Sequence, residues 1–316
     1  MRGMGVKRVS GEIPNVSVYF SRRFSSLRTI NNLKDQLVSA KELSFSSSYF
    51  VADAVKTYYE DYGDNKKSYP LVLIHPIGGN ILIWHHEISL LLKSGFRVIA
   101  YEIRGHNRTN MGKVGAYAMQ DLVNDLHNLL EHLNIKKCSI IGHSIGGIIA
   151  SMYAAQHPGS VDAIILINSS PKKFKEKDLE KHFKTRQIAI TQGIQALGEY
   201  KLKALDESKD LLKDKKYSDL FRDVFTKTSV EGFVAATIAL YTIPENVVSK
   251  LQTSHCKVFA IVGSDDEVFM RLLKETKEEI PEMELRVMDG SDHWVIIEKP
   301  KEMYDILMSF LRQIRS

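Results

Sequence analysis

The chain reads as an α/β fold: a mostly parallel sheet with helices on both faces. Two observations predict it. Short apolar runs rich in Val and Ile recur from about residue 48, and stretches with helical periodicity lie between them. Runs of this length suit strands buried on both faces of a parallel sheet.

The elements follow in order. Ala54 to Tyr62 reads as a strand or hairpin arm, with Val55, Thr57 and Tyr59 on one face. Compact apolar runs follow at Pro70 to His75, Phe96 to Ala100, Cys138 to Ile141, Ala163 to Ile167 and Val258 to Val262, with a more polar one at Glu284 to Met288. Met119, Leu122, Val123, Leu126, Leu129, Leu130 and Leu133 recur at intervals of three and four, the stripe of an amphipathic helix. Ile145 to His157 is small and apolar almost all round, so it belongs inside. Pro300 to Ile314 is a third helix, with its proline in the first turn, where a missing N–H costs nothing. There is no internal repeat.

One block interrupts the alternation. Residues 171 to 250 show no strand pattern, are rich in lysine and contain helical stretches such as Asp178 to Ile190 and Val230 to Tyr241. A helical insertion that follows a strand overhangs the sheet end where such folds bind ligands. The expected division is a core of 46–170 and 251–316, a helical cap of 171–250, and an extension of 1–45. Apolar side chains of the cap are expected to face inward and its lysines to face solvent.

Composition narrows the function classes. The chain has 316 residues, 44% hydrophobic and 26% charged, with no run approaching the roughly 18 apolar residues of a membrane span. Its two cysteines, Cys138 and Cys256, are too few for a disulfide framework and read as buried thiols. The net charge of +5 resides in residues 1–40, where Arg2, Lys7, Arg8, Arg22, Arg23, Arg28 and Lys34 face only Glu12 and Asp35. The rest of the chain is neutral overall, which argues against nucleic acid as a partner. The basic, serine-rich start reads as a disordered tail. Its alternative is a mitochondrial presequence cut near Phe24. The expected location is cytoplasmic, or mitochondrial on that alternative.

Four strings carry chemistry. Gly142-His143-Ser144-Ile145-Gly146 lies between an apolar strand and an apolar helix, a context that makes a G-x-S-x-G string specific. The turn presents the Ser144 hydroxyl at the sheet end, with a helix N-terminus behind it. Gly290-Ser291-Asp292-His293-Trp294 follows the last strand and supplies a base, His293. Gly263-Ser264-Asp265-Asp266 follows the strand before it and supplies an acid. His75-Pro76-Ile77-Gly78-Gly79 follows an early strand, and the backbone N–H groups of Ile77 and Ile145 are the natural oxyanion donors.

With Glu102-Ile103-Arg104-Gly105-His106-Asn107-Arg108-Thr109, these strings in this order resemble the α/β-hydrolase superfamily, in its capped, serine-nucleophile branch. The resemblance covers about residues 50 to 314. It implies a Ser144–His293–Asp266 triad, because the family places its acid three residues beyond the glycine, which selects Asp266 over Asp265. It implies hydrolysis of a small apolar ester or lactone by acyl transfer, with no metal or organic cofactor. Esterases, enol-lactonases, C–C bond hydrolases and cofactor-free haloperoxidases share these strings, and a non-catalytic receptor of the same fold is the remaining alternative. Pro76, Asn107 and Glu102 depart from the family pattern, at positions usually held by glycine, glycine and aspartate. Asn tolerates a left-handed backbone best among the replacements for glycine. Trp84 is expected in the core, and Trp294 beside a substrate.

Overall fold

The computed structural model describes residues 45–63, 68–112, 115–208 and 215–315. The basic segment expected to be a tail or presequence therefore lies outside the described residues, apart from Phe45.

The chain opens with a hairpin, β1 (Phe45–Ala52) and β2 (Val55–Tyr62), paired in register from Phe45–Tyr62 to Ala52–Val55. The first strand was not expected. Its FSSSYFVA string is polar and serine-rich, and its partner across the turn is what makes it a strand. Phe45, assigned by sequence to the excluded extension, stacks on Tyr62 at 5.0 Å.

The sheet continues with β3 (Pro70–Ile74), β4 (Arg97–Tyr101), β5 (Cys138–His143), β6 (Val161–Ile167), β7 (Lys257–Gly263) and β8 (Glu284–Met288). The spatial order is β1-β2-β4-β3-β5-β6-β7-β8, antiparallel at the first two pairings and parallel at the rest. Both faces of β2 are covered: Tyr59 joins one apolar cluster, Tyr58 and Tyr62 the other. Asp61 of this strand takes a bidentate hydrogen bond from Arg97 at 3.0 and 2.9 Å.

Helices cover each face. A 3-10 turn (Ile81–Trp84) leads into α1 (His85–Lys93), and Trp84 is 1% exposed, a core residue as expected. Then come α2 (Met119–His132) and α3 (Ile145–Gln156). The stripe read from the sequence of α2 is buried, except for Leu133, which is half-buried just beyond it. Between β6 and β7 the described residues form helices: α4 (Glu176–Ser208, broken at Gly193), α5 (Lys215–Phe225), α6 (Val230–Ala239) and α7 (Val247–Thr253). The chain closes with α8 (Glu267–Glu279), α9 (Val295–Glu298) and α10 (Pro300–Arg315). Among the described residues no helix is long and apolar enough to cross a membrane. Cys138 is buried, but Cys256 is only partly so; burial pushes both thiols up to about 12.

This topology sets where the site forms. Parallel strands β3, β5, β6, β7 and β8 end on one side, and the loops that leave them carry every chemical string read above.

Candidate active site

The serine loop is held in a shape that ordinary residues avoid. Ser144 has φ 54° and ψ −120°, between the last residue of β5 and the first of α3. Strain of this kind persists only where the surroundings impose it. Here its N–H donates to Ile167 O at 2.9 Å, and its carbonyl accepts from Ser169 Oγ at 2.6 Å. A side chain at Gly142 would overlap the Gly146 backbone, and one at Gly146 would overlap the Ile74 carbonyl. Two glycines are thus the condition for β5, its neighbour β3 and α3 to approach. From Cys138 to Ala154 every residue is buried except Ser144.

Asp266 and His293 meet directly. The His293 imidazole donates from Nδ1 to Asp266 Oδ2 at 2.7 Å, which leaves Nε2 as an acceptor. Asn168 Nδ2 donates to the same oxygen at 2.8 Å, and the Phe269 N–H reaches Oδ1 at 3.4 Å. Burial raises this carboxyl, but His293, its hydrogen bond and the Asn168 amide outweigh that and hold it down to about 2. Asp265, the neighbouring acid, is exposed and accepts from Ser264 Oγ.

Residues that sequence reasoning missed fix the histidine loop. His143, inside the serine string, donates from Nε2 to the His293 carbonyl at 2.8 Å and so ties the two loops together. Burial, then His293, lowers the His143 imidazole to about 3, so it stays neutral. Glu298 accepts the N–H groups of Asp292 at 2.9 Å and Trp294 at 3.2 Å, on either side of His293. Phe269 stacks on the His293 ring at 5.5 Å. No motif signalled Asn168 or Glu298. Both act through contacts at long range in sequence or through an unremarkable glutamate.

The loop after β3 shows a selective pattern of pairing. Gly78 N–H donates to His106 Nε2 at 3.1 Å and Gly79 N–H to Pro76 O at 2.9 Å. The N–H groups of Ile77 and Ile145 have no acceptor among the described residues. For Ile145 the reason is general: the first N–H groups of a helix have no partner inside it. His75 accepts the Ile103 N–H at Nε2 (3.1 Å) and donates from Nδ1 to Pro76 O (2.9 Å). Burial keeps both His75 and His106 neutral, the latter at about 4.

The unusual residues of the loop after β4 support one another. Asn107 has φ 48°, the left-handed backbone that its replacement of glycine anticipates. Its amide donates to Glu102 at 2.6 Å, and Arg108 donates to the same carboxylate through its backbone and guanidinium. Glu102 is fully buried, and burial lifts its carboxyl against the pull of Arg108.

Helices from between β6 and β7 pack on these same loops. Asn80 Nδ2 donates to the carbonyls of Asp223 and Val224 at 3.2 and 2.9 Å. Asn107 N–H donates to Lys227 O, and Ser229 N–H to Gly105 O. Phe221 packs edge-on against Trp294 at 5.1 Å.

A serine on a strained strand-to-helix turn, two unpaired N–H groups and an acid-held imidazole fit one known family. The model for the alpha/beta hydrolase fold matches residues 69–300. The chain belongs to that family. A solved carboxylesterase from the ammonia-oxidizing thaumarchaeon Nitrososphaera gargenis is 75% identical, with a TM-score of 0.82 over 85% of this chain and 99% of that one. The enol-lactonase from Burkholderia xenovorans LB400 shares the fold at 21% identity, with a TM-score of 0.73 over 84% of this chain and 100% of that one. The sn-1-specific diacylglycerol lipase ABHD11 of Danio rerio is 31% identical over 150 residues, 46% of this chain and 47% of the relative. Matches to this and two other curated relatives span 37% to 52% of their lengths.

Proposed function

We propose that this alpha/beta hydrolase is a serine esterase that hydrolyses a small carboxylic ester or lactone through Ser144, His293 and Asp266. The observation that carries the reading is the pair of unpaired N–H groups, Ile77 on the loop after β3 and Ile145 next in the chain to the strained, solvent-reaching Ser144. Unpaired donors beside a nucleophile suit a charge that develops only during reaction. The 75% identity to a carboxylesterase supports the same class of substrate.

The steps follow from the groups present. Ser144 Oγ attacks the ester carbonyl and passes its proton to His293 Nε2. The carbonyl electron pair moves to oxygen, where the Ile77 and Ile145 N–H groups receive it. Collapse breaks the bond to the alcohol oxygen, which leaves with the proton from His293. Water then repeats the sequence on the acyl-enzyme and releases the acid. Asp266, ionised throughout the neutral range, holds the imidazole in the tautomer that accepts at Nε2.

In this reading residues 171–250 form a cap over the site, and 46–170 with 251–316 form the catalytic core. The partner is a small molecule, not nucleic acid. A cytoplasmic location, with a mitochondrial one as its alternative, completes the reading. The test is labelling with a fluorophosphonate, together with hydrolysis of a panel of 4-nitrophenyl esters and lactones. Wild type should be labelled and Ser144→Ala should not. Equal labelling of both would refute the assignment.

A further inference from the structure

The helices over the site carry charge that ester hydrolysis does not use. Each half of α4, on either side of Gly193, turns one face inward: Leu179, Thr185 and Ala189 are buried on the first half, Ile194, Leu197 and Leu202 on the second. Helical spacing puts His182 and Arg186 on the first of these faces and Lys201 on the second. All three keep some accessible surface. His182 and Lys201 nonetheless bear the desolvation of enclosed groups. Their electrostatic neighbours belong to the histidine and acid loops: His182 interacts with His293, Lys201 with Asp292, and the exposed Lys181 with Asp266.

These cations lack counter-ions. Among the described residues Lys181, Arg186 and Lys201 have no carboxylate within ion-pair distance. Arg186 Nη1 is buried with no hydrogen-bond partner, and its guanidinium rests 5.8 Å over the Tyr241 ring. An unpaired donor of this kind is costly and is normally satisfied. Burial, then Lys181, lowers the Lys201 ammonium to about 8, which leaves it mostly charged at neutral pH. Burial, then Lys201 and Lys181, keeps His182 neutral. The acids that face this group are Asp292 and Asp266, the second already bonded to His293 and Asn168. Asp178 is paired with Arg271 at 2.7 Å, and Glu180 points to solvent. With Asp266 engaged by His293, Asp292 is the carboxylate left to face the three cations.

We propose that Lys201, with Arg186 and Lys181, forms a carboxylate-binding subsite, so that the preferred substrate is an ester with a distal carboxylate, such as a half-ester of a dicarboxylic acid. The proposal rests on the serine-esterase reading and deepens it.

The experiment compares mono-4-nitrophenyl glutarate with neutral 4-nitrophenyl valerate on the full chain, at neutral pH and low salt. Wild type should favour the glutarate in kcat/KM. Lys201→Gln should reduce the glutarate-to-valerate ratio by about 10–100-fold, the usual effect of removing a charged hydrogen-bond partner. Lys201→Arg should keep most of the ratio, and Lys250→Gln, an exposed lysine on α7, should leave it where it was. Arg186→Gln supplies a second variant should Lys201→Gln not fold. Glutarate itself, titrated calorimetrically into Ser144→Ala, should bind and should weaken when Lys201→Gln is added. A valerate preference in wild type, or a ratio unmoved by either substitution, would overturn the proposal. Ester turnover that survives Ser144→Ala would overturn the serine-esterase reading instead, and glutarate binding would still decide the subsite.

Discussion

The two sides of the site are built on opposite plans. On the sheet side the groups that hold the histidine are engaged with one another. Asp266 takes hydrogen bonds from His293 and Asn168, His143 holds the His293 carbonyl, and Glu298 spans the residues on either side. Beside them the N–H groups of Ile77 and Ile145 stay open. On the helical side two charged groups on inward faces are left open: Arg186 has an unpaired buried nitrogen, and Lys201 interacts with Lys181. The difference teaches a division of labour. Fixed, satisfied dipoles suit a reaction whose geometry is the same for every ester. Unsatisfied charge suits recognition, because a ligand gains most where the protein alone is left wanting.

The comparison breaks first if the sheet side is not the chemical side. Ser144→Ala should lower turnover by on the order of 10⁴-fold or more for every ester, charged or neutral, in a steady-state assay. Asp266→Asn should cost roughly 10⁴-fold through the wrong imidazole tautomer, while Asp265→Asn stays within a few-fold. A reversed ranking would move the acid. Asn168→Ala should cost about 10-fold in kcat for both ester classes, since one hydrogen bond to Asp266 is lost. A change confined to KM would show that Asn168 serves binding instead.

A subtler test sharpens the helical side. Protonated Lys201 attracts an anion and the neutral amine does not, so the glutarate-to-valerate ratio should fall as pH rises through about 8. His182, held neutral by burial and then by Lys201 and Lys181, adds no step in that range. A ratio that is flat through this range, or that rises, would detach Lys201 from selectivity. The smallest effect concerns the start of the chain. Removing residues 1–44 should leave activity and melting temperature nearly unchanged. Removing residues 1–52 should lower the melting temperature clearly, because β1 pairs along its full length with β2.

How much of this was legible in the sequence depends on the range of each interaction. The strands β3 to β8 and the helices α2, α3 and α10 were readable because their apolar spacing is local. Strand β1 was not, since its serine-rich string becomes a strand only beside β2. Motif spacing singles out Asp266 over Asp265, and in the structure the Asp266 carboxylate accepts from His293 Nδ1. Asn168 was invisible because its contacts lie about a hundred residues away in sequence, and Glu298 because two bonds to nearby main-chain N–H groups leave no sequence pattern. The lysine-rich block was expected to turn its cations outward. Lys201 turns inward instead, since the i, i+3, i+7 face of Ile194 and Leu197 carries it there.

The attachments of the helices to the loops below have a consequence for how the chain tolerates change. Asn80 bonds the carbonyls of Asp223 and Val224, Asn107 that of Lys227, and Ser229 that of Gly105. Each accepting atom belongs to the main chain, which every amino acid supplies alike. Substitutions at Asp223, Val224 or Lys227 therefore keep the fastening, while those at Arg186 or Lys201 rewrite what is recognised beneath it. Descendants of this sequence can exchange substrates by altering a few inward side chains, with the roof staying where it is.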